Sequence, residues 1–233
     1  MSLFTSMNVQ CPNCNETQNI NAVGSVNADR RPDYRDAILD GSFQIITCSN
    51  CGTEFRMEPL FNYLEVAKGH WIAAMPSRQM PDFLEIEDEV NATFSISYGD
   101  SAPASARDIG KDLKPRLTFG WPAVREKILI ASLDLNDVTI ELLKLDLLRR
   151  LPEAPFAPGI ELRVVAGDTE TLSFAWLNSE SEEVIQSFTA SRELVDEITG
   201  NPEGWAAIRS QLTNGPFVDM QKLYMGEGRE ATE

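Results

Sequence analysis

Four cysteines occur in the chain, Cys11, Cys14, Cys48 and Cys51, and they fall into two Cys-x-x-Cys pairs. A pair of this spacing grips one ion from a single tight turn, and two such turns supply the four sulfurs of a closed tetrahedral site. The fold must therefore bring residues 11–14 against residues 48–51. Neighbouring residues suit that geometry. Gly52 follows the second pair and Asn15 the first, and these residue types enter the left-handed backbone region that aims amides at sulfur most readily. Pro12 pre-sets the backbone angle inside the first turn. The segment between the pairs is too long for a bare loop. Residues 18–28 read as an extended run carrying Ile20, Val23 and Val26. Residues 32–39 read as a short helix, with Pro32 in its first turn and Gly41 past its end, and residues 43–47 return as a strand.

Two other chemistries use the same motif. A redox dithiol of the thioredoxin type wants one pair opening a helix beside a parallel sheet, whereas this chain has two pairs on hairpin-like turns. Structural disulfides call for an oxidising compartment, and residues 1–10 hold neither a basic region nor a long apolar stretch to act as a secretion signal. Zinc on Cys11, Cys14, Cys48 and Cys51 is the reading favoured here, one ion per chain and structural. Iron on the same four thiolates is not separated from it by spacing.

Beyond the cysteines, Leu39-Asp40-Gly41-Ser42-Phe43, Arg56, Pro59-Leu60 and Tyr63 complete a pattern that resembles the CpXC domain, a zinc-ribbon-like bacterial and archaeal family, over residues 9–76. Arg125-Glu126-Lys127-Ile128 and the stretch from Leu135 to Lys144 resemble the helical segment that follows that domain in some members. The resemblance implies a metal-bearing fold with Cys11, Cys14, Cys48 and Cys51 as ligands. It implies no catalytic residue. Asn15 departs from the glycine that many such knuckles carry.

Charge narrows the partners. With 36 acidic and 20 basic residues the formal charge is -16, and the excess is larger after residue 120. Binding a polyphosphate backbone draws most of its free energy from basic side chains that displace counterions, so nucleic acid is disfavoured. Arg30, Arg31 and Arg35 with Tyr34 form a small basic patch, read as a solvated surface paired with Asp29, Asp33 and Asp36. No run is long and apolar enough to cross a bilayer, so the expectation is a cytoplasmic protein with no membrane partner. His70 is the single histidine, which excludes a histidine-rich metal centre; it reads as a partly exposed strand residue.

The 233 residues read as α+β: an N-terminal zinc-ribbon-like antiparallel β domain with an inserted short helix and a hairpin extension over 1–100, a linker over 101–120, an α+β domain with an antiparallel sheet over 121–225, and a flexible tail over 226–233. In detail, residues 54–66 and 70–75 form the hairpin. Residues 83–89 form an acidic helix or edge strand, whose Glu85, Glu87, Asp88 and Glu89 read as a solvated face, and residues 92–98 form a strand. A helix begins at Pro122, and a second, capped by Asn136 or Asp137, runs to about Arg150. That second helix is apolar round most of its circumference, which predicts burial inside the molecule or against a second copy. Strands over 160–166, 171–177 and 183–190 form a meander. Ser191 caps a helix to Thr199, Pro202 starts another through Leu212, and a strand over 217–224 ends the domain. Glu193 and Asp196 are spaced as any exposed helix face spaces its acids. No nucleotide loop, nucleophile elbow or dinucleotide fingerprint occurs. The functional expectation is a non-catalytic zinc-binding protein whose C-terminal half binds an unidentified protein or a second copy of itself. An enzyme of unrecognised type, with its site in the C-terminal domain or between domains, and a thiol redox or metal-responsive switch are the alternatives.

Overall fold

The computed structural model describes residues 3–151, 153–155 and 157–225. Its centre is a five-stranded sheet built from β1 (Leu3–Gln10), β2 (Thr17–Asn27), β5 (Phe61–Glu65), β6 (His70–Met75) and β7 (Lys114–Phe119), in that spatial order. β1–β2 and β5–β6 pair antiparallel, whereas β2–β5 and β6–β7 pair parallel, so the N-terminal sheet is mixed rather than purely antiparallel. Helix α1 (Pro32–Asp40) and a small hairpin of β3 (Ile45–Thr47) and β4 (Glu54–Arg56) are inserted between β2 and β5. Gly41 closes α1 at φ 82°, a left-handed position where a side chain is costly.

Both faces of the sheet are covered from the end of β2 to β7, whereas β1 is largely exposed. One face packs Val26, Tyr63 and Ile72 against Ile38 of α1 and against Trp121 and Val124 of α4 (Gly120–Ser132). The other packs Trp71, Ala73 and Leu117 against Phe83 and Val90 of α2 (Phe83–Tyr98) and against Phe217. The C-terminal half is a meander of β8 (Ile160–Gly167), β9 (Thr171–Asn178) and β10 (Val184–Ser191), close to the expected strands. On it lies α5 (Asp137–Arg150), which Asn136 caps by accepting a bond from the Thr139 amide at 3.1 Å. Ile140, Leu142, Leu143 and Leu147 join Leu162, Phe174 and Trp176, and α6 (Glu193–Gly200) and α7 (Ala206–Leu212) close the other side. The all-round apolar helix is thus buried within its own chain.

Four local expectations are corrected. Residues 92–98 are helical, the second half of α2, not a strand. Their Phe94, Ile96 and Tyr98 alternate as a strand would, but Phe94 packs on Trp71 and on Tyr98 one helical turn away, and Ile96 is 72% exposed. The contact with Trp71 sets the period. Residues 101–120, read as a linker, hold α3 (Ala104–Gly110) and β7, because Leu113, Leu117 and Phe119 are buried and α2 with α3 makes the crossover that a parallel strand requires. Residues 217–224 form no strand; residues 215–220 run as an irregular strap, buried from Pro216 onward, followed by the single turn α8 (Lys222–Met225). Glu87 leaves the expected solvated face: it is 7% exposed and accepts bonds from the Phe217 amide (2.8 Å) and Lys222 (2.9 Å). Strand β1 was not read from the sequence at all. The tail over 226–233 lies outside the described residues.

Candidate metal centre

Each cysteine pair occupies a turn between antiparallel strands, and the two turns are near copies. In the first, joining β1 to β2, the Cys11 amide donates to Glu16 O and the Asn15 amide to Cys11 O, both at 2.9 Å. In the second, joining β3 to β4, the Cys48 amide donates to Thr53 O at 2.8 Å and the Gly52 amide to Cys48 O at 2.9 Å. Asn15 (φ 59°) and Gly52 (φ 73°) both take the left-handed conformation that their residue types admit. Gln18 ties the turns together, its Oε1 accepting from the Ser49 amide at 3.0 Å and the Ser49 hydroxyl at 3.2 Å.

The four Sγ atoms all lie within 4.8 Å of one another. The pairs that approach across the turns are Cys11 with Cys51 at 3.7 Å and Cys14 with Cys48 at 3.6 Å. These separations are far above the roughly 2.0 Å of a disulfide bond. They match the roughly 3.8 Å between sulfurs placed tetrahedrally at about 2.3 Å from one ion. The third residue of each motif serves the opposite turn: Asn13 Nδ2 donates to Cys51 Sγ and Asn50 Nδ2 to Cys14 Sγ, each at 3.6 Å. Amide donors of this kind stabilise thiolates and hold ligands in orientation. Thr53, helped by its own amide and by Asn13, pulls the exposed Cys51 thiol down to about 6. Cys11 goes the other way, to about 11, because burial and the neighbouring Cys48 and Cys14 thiols outweigh the Cys14 amide that donates to it. Four sulfur donors, two of them buried, fit a soft or borderline metal, and a closed set of four leaves no open coordination position for a substrate.

Residues 9–144 match the family model described as CpXC protein, more than half of the chain and all four cysteines. The chain belongs to the CpXC family. No curated protein and no solved structure matches it. The resemblance stated from residues 9–76 and from the segment up to Lys144 therefore extends across one continuous stretch of the CpXC chain.

A second constellation in this CpXC protein was not foreseen. Glu126 and Lys127 of α4, Glu141 and Lys144 of α5, Glu161 and Arg163 of β8 and Asp219 of the strap are each at most 2% exposed. Lys144 bonds Glu126 at 2.8 Å and Glu141 at 3.1 Å; Arg163 bonds Glu126 at 2.9 Å and Glu161 at 2.6 Å, and also reaches Asp219. Lys127 reaches Asp137 at 3.1 Å, Glu141 at 3.3 Å and the Val218 carbonyl at 2.6 Å. The Val164 and Met220 amides donate to Glu126 and Glu141. This cluster joins α4, α5, β8 and the strap around shared charges. Its signal was present in the sequence, since charges embedded in a helix apolar on all sides must find buried partners. His70, by contrast, stands half-buried in β6 as expected, and Glu193 and Asp196 are exposed. In the basic patch, Arg31 pairs with Asp33 (2.6 Å) and Arg35 with Asp36 (3.1 Å) and Glu65 (3.3 Å). No helix among the described residues is long and apolar enough to cross a membrane.

Proposed function

We propose that Cys11, Cys14, Cys48 and Cys51 hold one structural zinc ion, which fixes the β1–β2 and β3–β4 turns against each other as a zinc-ribbon-like module. The observation that carries this reading is the convergence of four sulfurs within 4.8 Å from two turns of the same hydrogen-bond pattern. Binding free energy becomes folding free energy in such modules, because the site does not exist in the unfolded chain. Metal and thiol titration tests it: one zinc per chain, released only as the thiols are modified, is expected, whereas protein that carries no metal and melts identically with and without added zinc contradicts it.

The C-terminal half then serves protein contact. A groove of about 390 Å³, in which Arg125, Arg163 and Glu182 stand beside Leu39, Pro122, Leu129, Val165, Leu177 and Val184, supports this role, with Val165 46% and Val184 55% exposed. Exposed apolar surface of this kind marks interaction sites. For self-association, sedimentation velocity across a concentration series is expected to show a dimer that Val165→Glu with Val184→Glu abolishes. A wild-type chain that stays monomeric throughout contradicts that form of the role.

A further inference from the structure

The turn between β9 and β10 is acidic, and one of its side chains does not face solvent. Glu180, Ser181, Glu183 and Val184 are exposed, whereas the Glu182 side chain is only 18% exposed. Local bonds direct it inward. Asn178 Oδ1 accepts from the Glu180 and Ser181 amides, each at 2.9 Å, and the Glu182 amide donates to Asn178 O at 2.9 Å. Glu182 takes a left-handed φ of 59°, a conformation that is uncommon for a residue with a side chain and persists where contacts compensate it. The compensating contacts come from the other half of the molecule: the Glu182 carboxylate pairs with both Arg56 of β4 and Arg125 of α4.

Both arginines lie in the stretch of residues 9–144 that defines the family, and Glu182 lies outside it. Arg56 donates to the Gly41 carbonyl at 3.1 Å and places its guanidinium 4.8 Å from the Trp121 ring centre. Gly41 sits so close to both guanidinium groups that an added Cβ would stand 3.1 Å from Arg56 Nη1 and 3.5 Å from Arg125 Nη1. Among the described residues, Glu182 is the one carboxylate within ion-pair distance of either. Arg56 also belongs to the hairpin that carries Cys48 and Cys51. That hairpin pairs only Ile45 with Arg56, Ile46 with Phe55 and Thr47 with Glu54, and it joins neither of the larger sheets. A two-stranded ribbon this short is not stable by itself, so its order depends on how its two ends are held. The cysteine turn holds one end. Arg56, with the Met57 carbonyl that accepts from Trp121 Nε1 at 2.7 Å, holds the other.

From the single inward carboxylate of the β9–β10 turn and its two arginine partners, one of them on the cysteine-bearing hairpin, we propose that Arg56, Glu182 and Arg125 form a latch coupling metal binding to the C-terminal half. With the ion in place the β3–β4 hairpin is ordered, Arg56 is in position and the β9–β10 turn is held against α4. That turn carries Val184, which lines the 390 Å³ groove together with Glu182 and Arg125, so the latch ties one wall of the groove to the metal. The coupling rests on the reading of the four cysteines as a metal site. It must also run both ways: if metal favours the closed latch, the closed latch favours metal by the same factor.

Zinc affinity of the full chain is measured by competition with a chelator in wild type, Glu182→Gln and Glu180→Gln. Glu180→Gln makes the same charge change on the exposed side of the same turn. Glu182→Gln is expected to bind zinc about fivefold or more weakly than wild type, and Glu180→Gln to differ from wild type by less than about twofold. Hydrogen exchange gives a second readout that needs no variant: the amides of residues 179–184 are expected to exchange faster when zinc is removed from the wild-type chain, while those of β9 keep their protection. A wild-type chain that binds no zinc overturns the metal reading and the latch with it. Zinc bound equally well by wild type and Glu182→Gln, a loss of the same size in Glu180→Gln, or exchange at residues 179–184 that is indifferent to zinc overturns the latch alone.

Discussion

Single side chains carry unequal weight in this fold, and the heaviest are the buried thiols and charges. Cys48 is 2% exposed and faces three other sulfurs, so Cys48→Ala removes one sulfur of the four that the proposed metal site needs. It is expected to lose bound metal and to destabilise the chain by at least about 3 kcal/mol, a fall in Tm of order 10 °C, which calorimetry reads. Asn13→Ala and Asn50→Ala leave the sulfurs in place and remove only the amide donors to the opposite turn. They are expected to keep the metal but weaken it roughly 10-fold to 100-fold in competition with a chelator. Glu126 is a different case. Its two oxygens serve Lys144, Arg163 and the Val164 amide at 1% exposure, so Glu126→Ala leaves two buried cations short of a partner. Denaturant unfolding is expected to show a loss of about 3–5 kcal/mol, whereas a loss under about 1 kcal/mol would mean that the cluster does not bind its elements together.

At the level of elements, the strap over residues 215–220 shows how a segment without regular structure is held. The Phe217 amide bonds Glu87, the Val218 carbonyl takes Lys127, the Met220 amide bonds Glu141 and Asp219 meets Arg163. Gly215 enters it at φ +94°, where an added Cβ would press on the Glu87 carboxylate. Gly215→Ala is expected to cost about 1–3 kcal/mol through backbone strain and the displaced Glu87, measurable as a lowered denaturation midpoint. The same strap explains part of what the sequence hid. Phe217, Val218 and Met220 are strand-like residues, but they pair with charged side chains drawn from α2, α4 and α5, partners that no local pattern announces. Likewise the alternation of Phe94, Ile96 and Tyr98 suggested a strand, and the packing of Phe94 on Trp71 settled a helix. What was legible had local chemistry behind it: the Asn136 cap of α5, Pro32 and Gly41 bounding α1, the meander of β8 to β10, and the four cysteines with Asn15 and Gly52 beside them. The parallel placement of β7 beside β6 depends on the α2–α3 crossover, a contact distant in sequence, and so was misread as a linker.

The whole molecule is a mixed sheet covered on both faces over β5 to β7, a meander under α5, and a charge cluster where the two meet the strap. Its response to acid follows from that cluster. Burial alone would raise the Asp219 carboxyl, but the guanidinium of Arg163 more than reverses this and holds it at about 2, below the ordinary 3.8. A lowered carboxyl stabilises the fold above its ordinary range and loses that contribution as pH falls towards its folded value. Between about pH 4.5 and pH 2 the chain is therefore expected to lose stability, and Asp219→Asn, already weakened at neutral pH, to show a shallower decline over the same window by circular dichroism. The four converging cysteines of this CpXC protein are those of the proposed structural metal site. Elemental analysis of protein purified without chelator, paired with a free-thiol count before and after denaturation, tests it most directly. One zinc per chain with four thiols that react only on unfolding or metal release is the predicted result; a metal-free protein whose four thiols react freely in the folded state, or are joined as disulfides, would contradict it.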